Sequence, residues 1–547
     1  HYSDWSDLLI VHEETHLVHL LRPPRSPAMQ LLTHLSVPIG PITINAPRWV
    51  LEGYATVVEG RLTASGRPNG DLRAAILRRW AQTGKLPGYA RLASDHATWH
   101  GMNMAYLLGS AYLEWLDERS GPGSLRKLWA RMTAKTDRGF GDAFRGVYGD
   151  SPENLYDRFR AELTYRAIEV ERRVQGTDAK AEAAASGELW QELTWTTGSP
   201  AVSPDGQQIA LVLRSRDQPA KLVVWSTGPN TKAEKKDEEK REKLAKEDPD
   251  DVPAVRDKPL PREPLHTLPT TDTIAPTTPR YLPDGKAILF VRYEPDGQGF
   301  LHPDLFRWTL ASGRVERLTR EADLRDPDPS PDGRFAVAVR NRNGRSQVVR
   351  VDLQTAEVKP RTDDSLEVVY DRPRMSPDGK GVVFARQREG VWRLVVLPLE
   401  GGAQETEIAA PAAEATVSEA EWGRDGKTLY AVVGERGFID LYAFSLAAGA
   451  TPIALTRAPG AALSPAPTPD GAALFYLQLE PHGLDLRRLD LHRTPPPSLE
   501  RAALNLPANL APAIRPQAPA PQPPFAQTPV APGQPYGLGR QELGSFL

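Results

Sequence analysis

Ser330-Pro331-Asp332-Gly333-Arg334-Phe335-Ala336-Val337-Ala338-Val339 reads as a tight turn running into a strand. Pro presets φ for the turn, Asp bonds the local backbone, and Gly takes the positive φ that a hairpin needs. Related turns occur at Ser203–Gly206, Leu282–Gly285, Ser376–Gly379, Gly423–Gly426 and Thr468–Gly471. Successive Asp residues are 79, 48, 46, 47 and 45 positions apart. Each turn precedes a β-rich run, such as Gln208-Ile-Ala-Leu-Val-Leu, Val382-Val-Phe-Ala or Thr428-Leu-Tyr-Ala-Val-Val. A period of about 45 residues holding several short strands is the signature of a propeller blade. Six copies predict six blades over residues 190–500.

The long first interval has a visible cause. Residues 229–265 form a charged insertion, Pro-Asn-Thr-Lys-Ala-Glu-Lys-Lys-Asp-Glu-Glu onward, ending in Pro-rich sequence. It cannot bury a core, so it is expected to be a mobile excursion from the first blade, partly helical at most. Residues 176–189 read as a linker, and 501–547 as a Pro/Ala-rich extended tail. The S-P-D-G-x-x-[IVL] signature resembles the TolB-like propeller repeat over about 190–495. Its Asp and Gly residues build turns and carry no chemistry, and propellers bind peptides or proteins on one face or in the channel.

Chemistry concentrates near the start of the chain. His12-Glu13-Glu14-Thr15-His16 is an HExxH run, and Glu52 follows thirty-six residues after His16. On a helix, positions i and i+4 share a face, so His12 and His16 reach one Zn²⁺ while Glu13 points towards a water on the metal. Glu52, in Trp49-Val-Leu-Glu-Gly-Tyr-Ala55, is the expected third ligand. The apolar runs Leu8–Val11 and Leu17-Val18 are expected to bury the helix, which leaves its imidazoles in need of a partner. His19 would close the site as a fourth ligand, so it reads as packing or support behind the ligands. His96 and His100 are equally cleft residues or ordinary loop histidines.

These segments resemble the gluzincin class of zinc peptidases, whose third ligand is a Glu on a following helix. Pro47-Arg48-Trp49-Val50-Leu51-Glu52-Gly53-Tyr54-Ala55 resembles the P-x-W-L-x-E-G-x-A element of peptidase MA-like and aminopeptidase-N-like domains, with Val50 in place of Leu. Glu59 also falls on a Glu of that pattern. It is either the acceptor of a ligand imidazole's free N–H or a surface Glu forming a helical ion pair. Tyr106-Leu-Leu-Gly109 through Leu116 resembles the Y-x-x-G helix of the same families, which implies that Tyr106 donates to the oxyanion. Tyr112 is its rival, and either reads alternatively as a core aromatic. Ser151-Pro152-Glu153 marks a helix start among the closing helices. The implied architecture is multidomain α+β. A mainly α-helical zincin-like metallopeptidase domain over 1–175 precedes an all-β six-bladed propeller.

Bulk properties set the limits. At 547 residues two or more domains are expected. A net charge of −3 gives no electrostatic case for nucleic acid, and no apolar run reaches the ~20 residues of a membrane span. The absence of cysteine excludes disulfides, thiol catalysis and iron–sulfur centres. No G-x-S-x-G elbow supports a serine peptidase. The expected activity is therefore zinc-dependent peptide hydrolysis, with one Zn²⁺ per chain. The alternative is a propeller scaffold with a vestigial zinc domain. The substrate is a peptide or protein, and a protein partner is expected on the propeller. The resemblance implies an extracytoplasmic, periplasmic or cell-envelope location. Starting at His1, the chain is expected to lack an upstream targeting signal and the G-x-M-x-N element of aminopeptidase-N-like enzymes. Gly101-Met-Asn-Met lies downstream of HExxH and is not that element. Tyr536-Gly-Leu-Gly-Arg-Gln-Glu reads as the approach to a further domain.

Overall fold

A computed structural model describes residues 5–35, 40–63, 66–92, 103–175, 186–193, 198–214, 219–251, 256, 258–268, 275–388, 390–400, 404–493 and 495. His96, His100, the tail 501–547 and most of the expected linker lie outside the described residues. Two compact units are present. Among the described residues, one comprises 5–73 with 84–166, and the other 74–83 with 167–495.

Nine helices are described before residue 176. They are α1 (Trp5–Leu20), α2 (Pro27–Leu35), α3 (Pro41–Asn45), α4 (Arg48–Thr63), α5 (Asp71–Gln82), α6 (Met104–Ser120), α7 (Ser124–Met132), α8 (Phe140–Tyr148) and α9 (Pro152–Gln175). The expected start of α9 is borne out: Pro152 opens it, where a missing N–H costs nothing, and the Ser151 hydroxyl accepts the Asn154 amide at 3.2 Å. An aromatic core fills the space between α4, α6 and α9. Tyr112 lies 5.1 Å from Trp49, 5.3 Å from Tyr156 and 5.4 Å from Phe159, centroid to centroid.

The burial of α1 corrects one expectation. Leu9, Ile10, Leu17 and Val18 are exposed, and the helix is instead buried through Leu8, His12, Thr15 and His19. Those four positions fall at i, i+4, i+7 and i+11, the stripe of a 3.6-residue helix, whereas a contiguous apolar run wraps around it.

The second unit contains the six blades. Each is a four-stranded antiparallel sheet. The first five hold β2 (Gly198–Val202) to β5 (His266–Leu268), β6 (Thr277–Tyr281) to β9 (Val315–Arg317), β10 (Leu324–Pro329) to β13 (Val358–Pro360), β14 (Val368–Met375) to β17 (Thr406–Glu407), and β18 (Thr416–Trp422) to β21 (Ile453–Ala454). The sixth holds β22 (Ala462–Pro467), β23 (Ala473–Glu480), β24 (Gly483–Asp490) and, as its outer strand, β1 (Glu188–Gln191). The first strand in the chain thus closes the ring on the last blade. The apolar core lies between adjacent blades. Ile209 and Leu211 of the first, for example, pack with Phe475 and Leu477 of the sixth. In the charged insertion, Thr231–Glu247 forms helix α10 with no buried residue. Polar contacts hold it, such as Lys232–Glu263 at 2.8 Å and the Asn230 amide donating to the Leu260 carbonyl at 3.0 Å.

All six turn glycines, from Gly206 to Gly471, have φ between +62° and +73°. Each turn Asp accepts the amide two residues on at 2.9–3.1 Å. A second repeated feature lies on the innermost strands. Ser199, Thr278, Asp326, Arg372, Glu419 and Ser464, each seven residues before its turn glycine, have φ between +43° and +53°. The register slips there in every blade. These are bulges, which re-aim the inner strand's side chains.

The bulges organise a charged axis. Arg280 of the second blade reaches across the ring to Glu421 of the fifth, with two bonds of 2.9 Å, and bonds Asp328 at 2.7 Å. Arg374 joins Glu421 at 2.6 Å, and the Met375 amide donates to Asp328 at 2.7 Å. On the side of Arg372 and Glu419 the adjoining space is about 10 Å³, room for one water at most, whereas on the side of the turn prolines it widens to about 290 Å³.

Candidate metal centre

Helices α4 and α6 cross at paired glycines. A Cβ on Gly53 would lie 2.7 Å from the carbonyl carbon of Gly109, and one on Gly109 would lie 2.6 Å from the Trp49 oxygen. Only glycine lets the two backbones approach this closely. The contact carries Glu52, beside Gly53, and Tyr106, one turn before Gly109, to the same place. There α1 presents His12 and His16.

The His16 Nε2 atom lies 3.3 Å from Glu52 Oε2, and His12 Nε2 lies 3.5 Å from the same oxygen. One ligand atom from each of the three residues falls within 4.8 Å of the others. Tetrahedral donors at ~2.0–2.2 Å from a single ion stand about 3.3–3.6 Å apart, and both distances from the imidazoles to Glu52 fall in that range, so this donor chemistry fits a zinc-sized cation. The rings of His12 and His16 meet edge-on, with centroids 4.8 Å apart. The structure thus brings together all three residues named from sequence as ligands.

Behind His12 stands Glu59, which is 2% exposed. Its Oε2 lies 3.3 Å from His12 Nδ1. The Glu59 carboxylate also accepts the Arg67 backbone amide at 2.9 Å and the Arg67 guanidinium at 2.8 Å. Of the two sequence readings of Glu59, the contact to the imidazole is present; the surface helical ion pair is not, because Glu59 is buried and its guanidinium partner, Arg67, lies beyond the end of α4. Burial works against a charge on His12, yet the hydrogen bonds to Glu52 and Glu59 prevail and raise its pKa to about 9. Burial likewise opposes charge on Glu52, but the two imidazoles hold its carboxyl well below the usual range.

Tyr106 stacks on His12 with centroids 5.8 Å apart. Burial, then the neighbouring Glu52 carboxylate, raise its pKa, and its hydroxyl contacts Glu52 and Arg48. Tyr112 is fully buried and donates to the Pro152 carbonyl at 2.9 Å, so it belongs to the core. Glu13 is exposed at the position after His12. His19 packs between Tyr54 and Trp129, with centroids at 4.5 and 4.3 Å. Burial, reinforced by the nearby His16, lowers its pKa to about 3. It is a packing residue, one of the two roles expected of it.

Two residues here were not singled out from sequence. Arg48 lies 3.8 Å from Glu52, one helical turn before it, and only that i, i+4 spacing signals it. Arg67 opens a short 3₁₀ turn, Arg67–Asn69, beyond α4 and has no such spacing.

Comparison with known proteins bears on the propeller. Residues 265–424 match the family described as PD40, the TolB beta propeller domain. An Agrobacterium fabrum (strain C58) protein, described as the uncharacterized protein Atu1656, is 28% identical over 178 residues, covering 30% of this chain and 59% of the relative. The chain therefore spans about six-tenths of that relative's length. Among solved structures, TolB from Acinetobacter baumannii is similar at 18% identity, covering 62% of this chain and 68% of that one, with a TM-score of 0.38. The β-propeller domain of the Trilobed protease from Pyrococcus furiosus is similar at 15% identity, covering 56% and 99%, with a TM-score of 0.34. With six four-stranded blades and the family match running through three of its turns, the chain carries a TolB-like six-bladed β-propeller.

Proposed function

We propose that the helical unit is a zinc-dependent peptidase and that the propeller serves it as a binding platform. The observation that carries this reading is the convergence of His12 and His16 on one oxygen of Glu52, at 3.5 and 3.3 Å, with the three donors within 4.8 Å of one another. Bound zinc supplies a Lewis acid and a water of lowered pKa. Glu13 takes a proton onto its carboxylate from the attacking water and delivers it to the leaving amine nitrogen. Tyr106 donates its hydroxyl to the oxyanion of the tetrahedral carbon, where charge develops only as the water attacks. Its stacking on His12 favours that role, because the ring is fixed relative to a ligand.

The substrate is a peptide or protein. The cross-axis pairing of Arg280 with Glu421 leaves the propeller's faces, rather than a passage, to meet a substrate or protein partner. We place the protein outside the cytoplasm on the resemblance of its sequence to extracytoplasmic peptidases.

The test is Glu13→Gln. Zinc should stay near about one equivalent by metal analysis, while hydrolysis of a peptide library falls roughly 10²–10⁴-fold. A wild-type protein that binds no zinc would overturn the reading. Zinc without turnover would leave a binding protein in place of the enzyme.

A further inference from the structure

Resting on the metal-site reading above, we propose that Arg67 is the positioning residue of the centre, holding a ligand imidazole and the oxyanion donor in one arrangement. Two groups of Arg67 converge on Glu59. The backbone amide donates to Oε1 at 2.9 Å and the guanidinium Nη1 to Oε2 at 2.8 Å. The carboxylate is thereby fixed at both oxygens, with Oε2 turned to His12 Nδ1 at 3.3 Å. The same guanidinium carbon stands 4.9 Å from the centroid of the Tyr106 ring. One planar cation therefore clamps the carboxylate behind His12 and caps the ring that stacks on His12.

The loop before Arg67 is shaped for this contact. Gly66 has φ +79°, and a Cβ there would fall on the Glu59 carboxylate. Any other residue would combine backbone strain with displacement of Glu59. Glu59 is itself almost fully buried, so its charge has to be matched locally, and Arg67 is the guanidinium bonded to it. An acceptor behind a ligand imidazole sets which nitrogen faces the metal and how the ring is turned.

Competition titration with a chromophoric chelator gives the zinc dissociation constant of the purified chain and its variants. Arg67→Met should weaken zinc binding about 10–100-fold, the range typical of lost support behind a ligand. Gly66→Ala should weaken it comparably, although Arg67 is still present. Arg67→Lys should restore zinc affinity to within about threefold of wild type, because an ammonium still pairs with Glu59. It should nonetheless leave kcat depressed, because it cannot lie flat on Tyr106. Rescue of metal affinity without rescue of kcat is a split that general loosening of the fold does not give. Hydrogen exchange of α1 and α4 in the zinc-free variants reports whether they are folded. Wild-type zinc affinity in folded Arg67→Met would overturn the role of Arg67 and leave the zinc site standing. No zinc in the wild type would overturn both.

Discussion

Arg280, Asp328, Arg374 and Glu421 in the propeller, and His12, His16, Glu52 and Glu59 in the helical unit, are both sets of ionisable side chains withdrawn from water. The propeller set balances itself. Two guanidiniums face two carboxylates, and Glu421 alone accepts three charge-assisted bonds of 2.6–2.9 Å. The helical set is only half balanced. Glu59 has Arg67 at 2.8 Å, whereas Glu52 has its guanidinium, Arg48, no nearer than 3.8 Å and faces two imidazoles whose Nε2 atoms point at the same oxygen. We propose that the self-balanced set serves structure and that the converging donors serve a cation.

If the propeller set is structural, removing one member should be the most damaging of these changes. Glu421→Ala strands Arg280 and Arg374 in a buried space and should cost about 3–5 kcal/mol in urea unfolding. Replacing both partners of the cross-axis pair, as Arg280→Met with Glu421→Met, should cost less than Glu421→Ala alone. A double variant no more stable than the single one would show that the charges do not stabilise through pairing.

The helical set should respond to metal instead. Zinc at a hundredfold excess over its dissociation constant should add about 2.7 kcal/mol to apparent stability, and EDTA should remove it. Protection in hydrogen exchange should rise in α1, α4 and α6 and stay unchanged in the propeller strands. With Glu52→Gln the zinc increment should vanish. Equal protection of blades and helices by zinc would argue against a local site.

His19 sharpens the contrast from the side of pH. Its pKa lies near 3 in the folded protein against 6.5 when solvated, so the unfolded chain takes up a proton that the folded chain refuses. Stability should therefore be lost as pH falls below about 6.5, amounting to about 2 kcal/mol at pH 5. His19→Leu should flatten that acid limb, and a limb unchanged in the variant would show that other groups cause it.

How much of this could be read in the sequence depended on how local each signal was. The turn half of the propeller repeat is written in adjacent letters whose roles are stereochemical, and six glycines at positive φ follow from it. His12, His16 and Glu52 were legible because metal chemistry admits few residue types and a helix fixes the i, i+4 spacing. The burial of α1 was not legible from its apolar runs, since Ile10 and Val18 turn outward while His12 and His19 turn in. Nor was the bond from Arg280 to Glu421, 141 residues apart, which exists only once the ring closes. Arg67 was hidden because its contact depends on the positive φ of Gly66. The bulge half of the repeat was masked differently. Its key residue is Ser, Thr, Asp, Arg, Glu or Ser in successive blades, so a shared conformation lies under unlike side chains.

What the bulges do share is the next residue. Pro200, Pro279, Pro327, Pro373 and Pro465 follow the left-handed residue in five blades, and Ala420 takes that place in the fifth. The register of that blade pairs Ser418 with Val432 and Glu421 with Tyr430, so Ala420 falls within the slip and outside the ladder. Proline there removes no ladder bond and restricts only the unfolded chain. Ala420→Pro should therefore stabilise the propeller by about 0.4–1 kcal/mol, the smallest of these effects, measured by urea unfolding. It should leave zinc affinity unchanged, because the bulge serves the self-balanced set and not the metal. Destabilisation would mean that the fifth bulge, which carries Glu419 and aims Glu421 at two arginines, has a backbone unlike the other five.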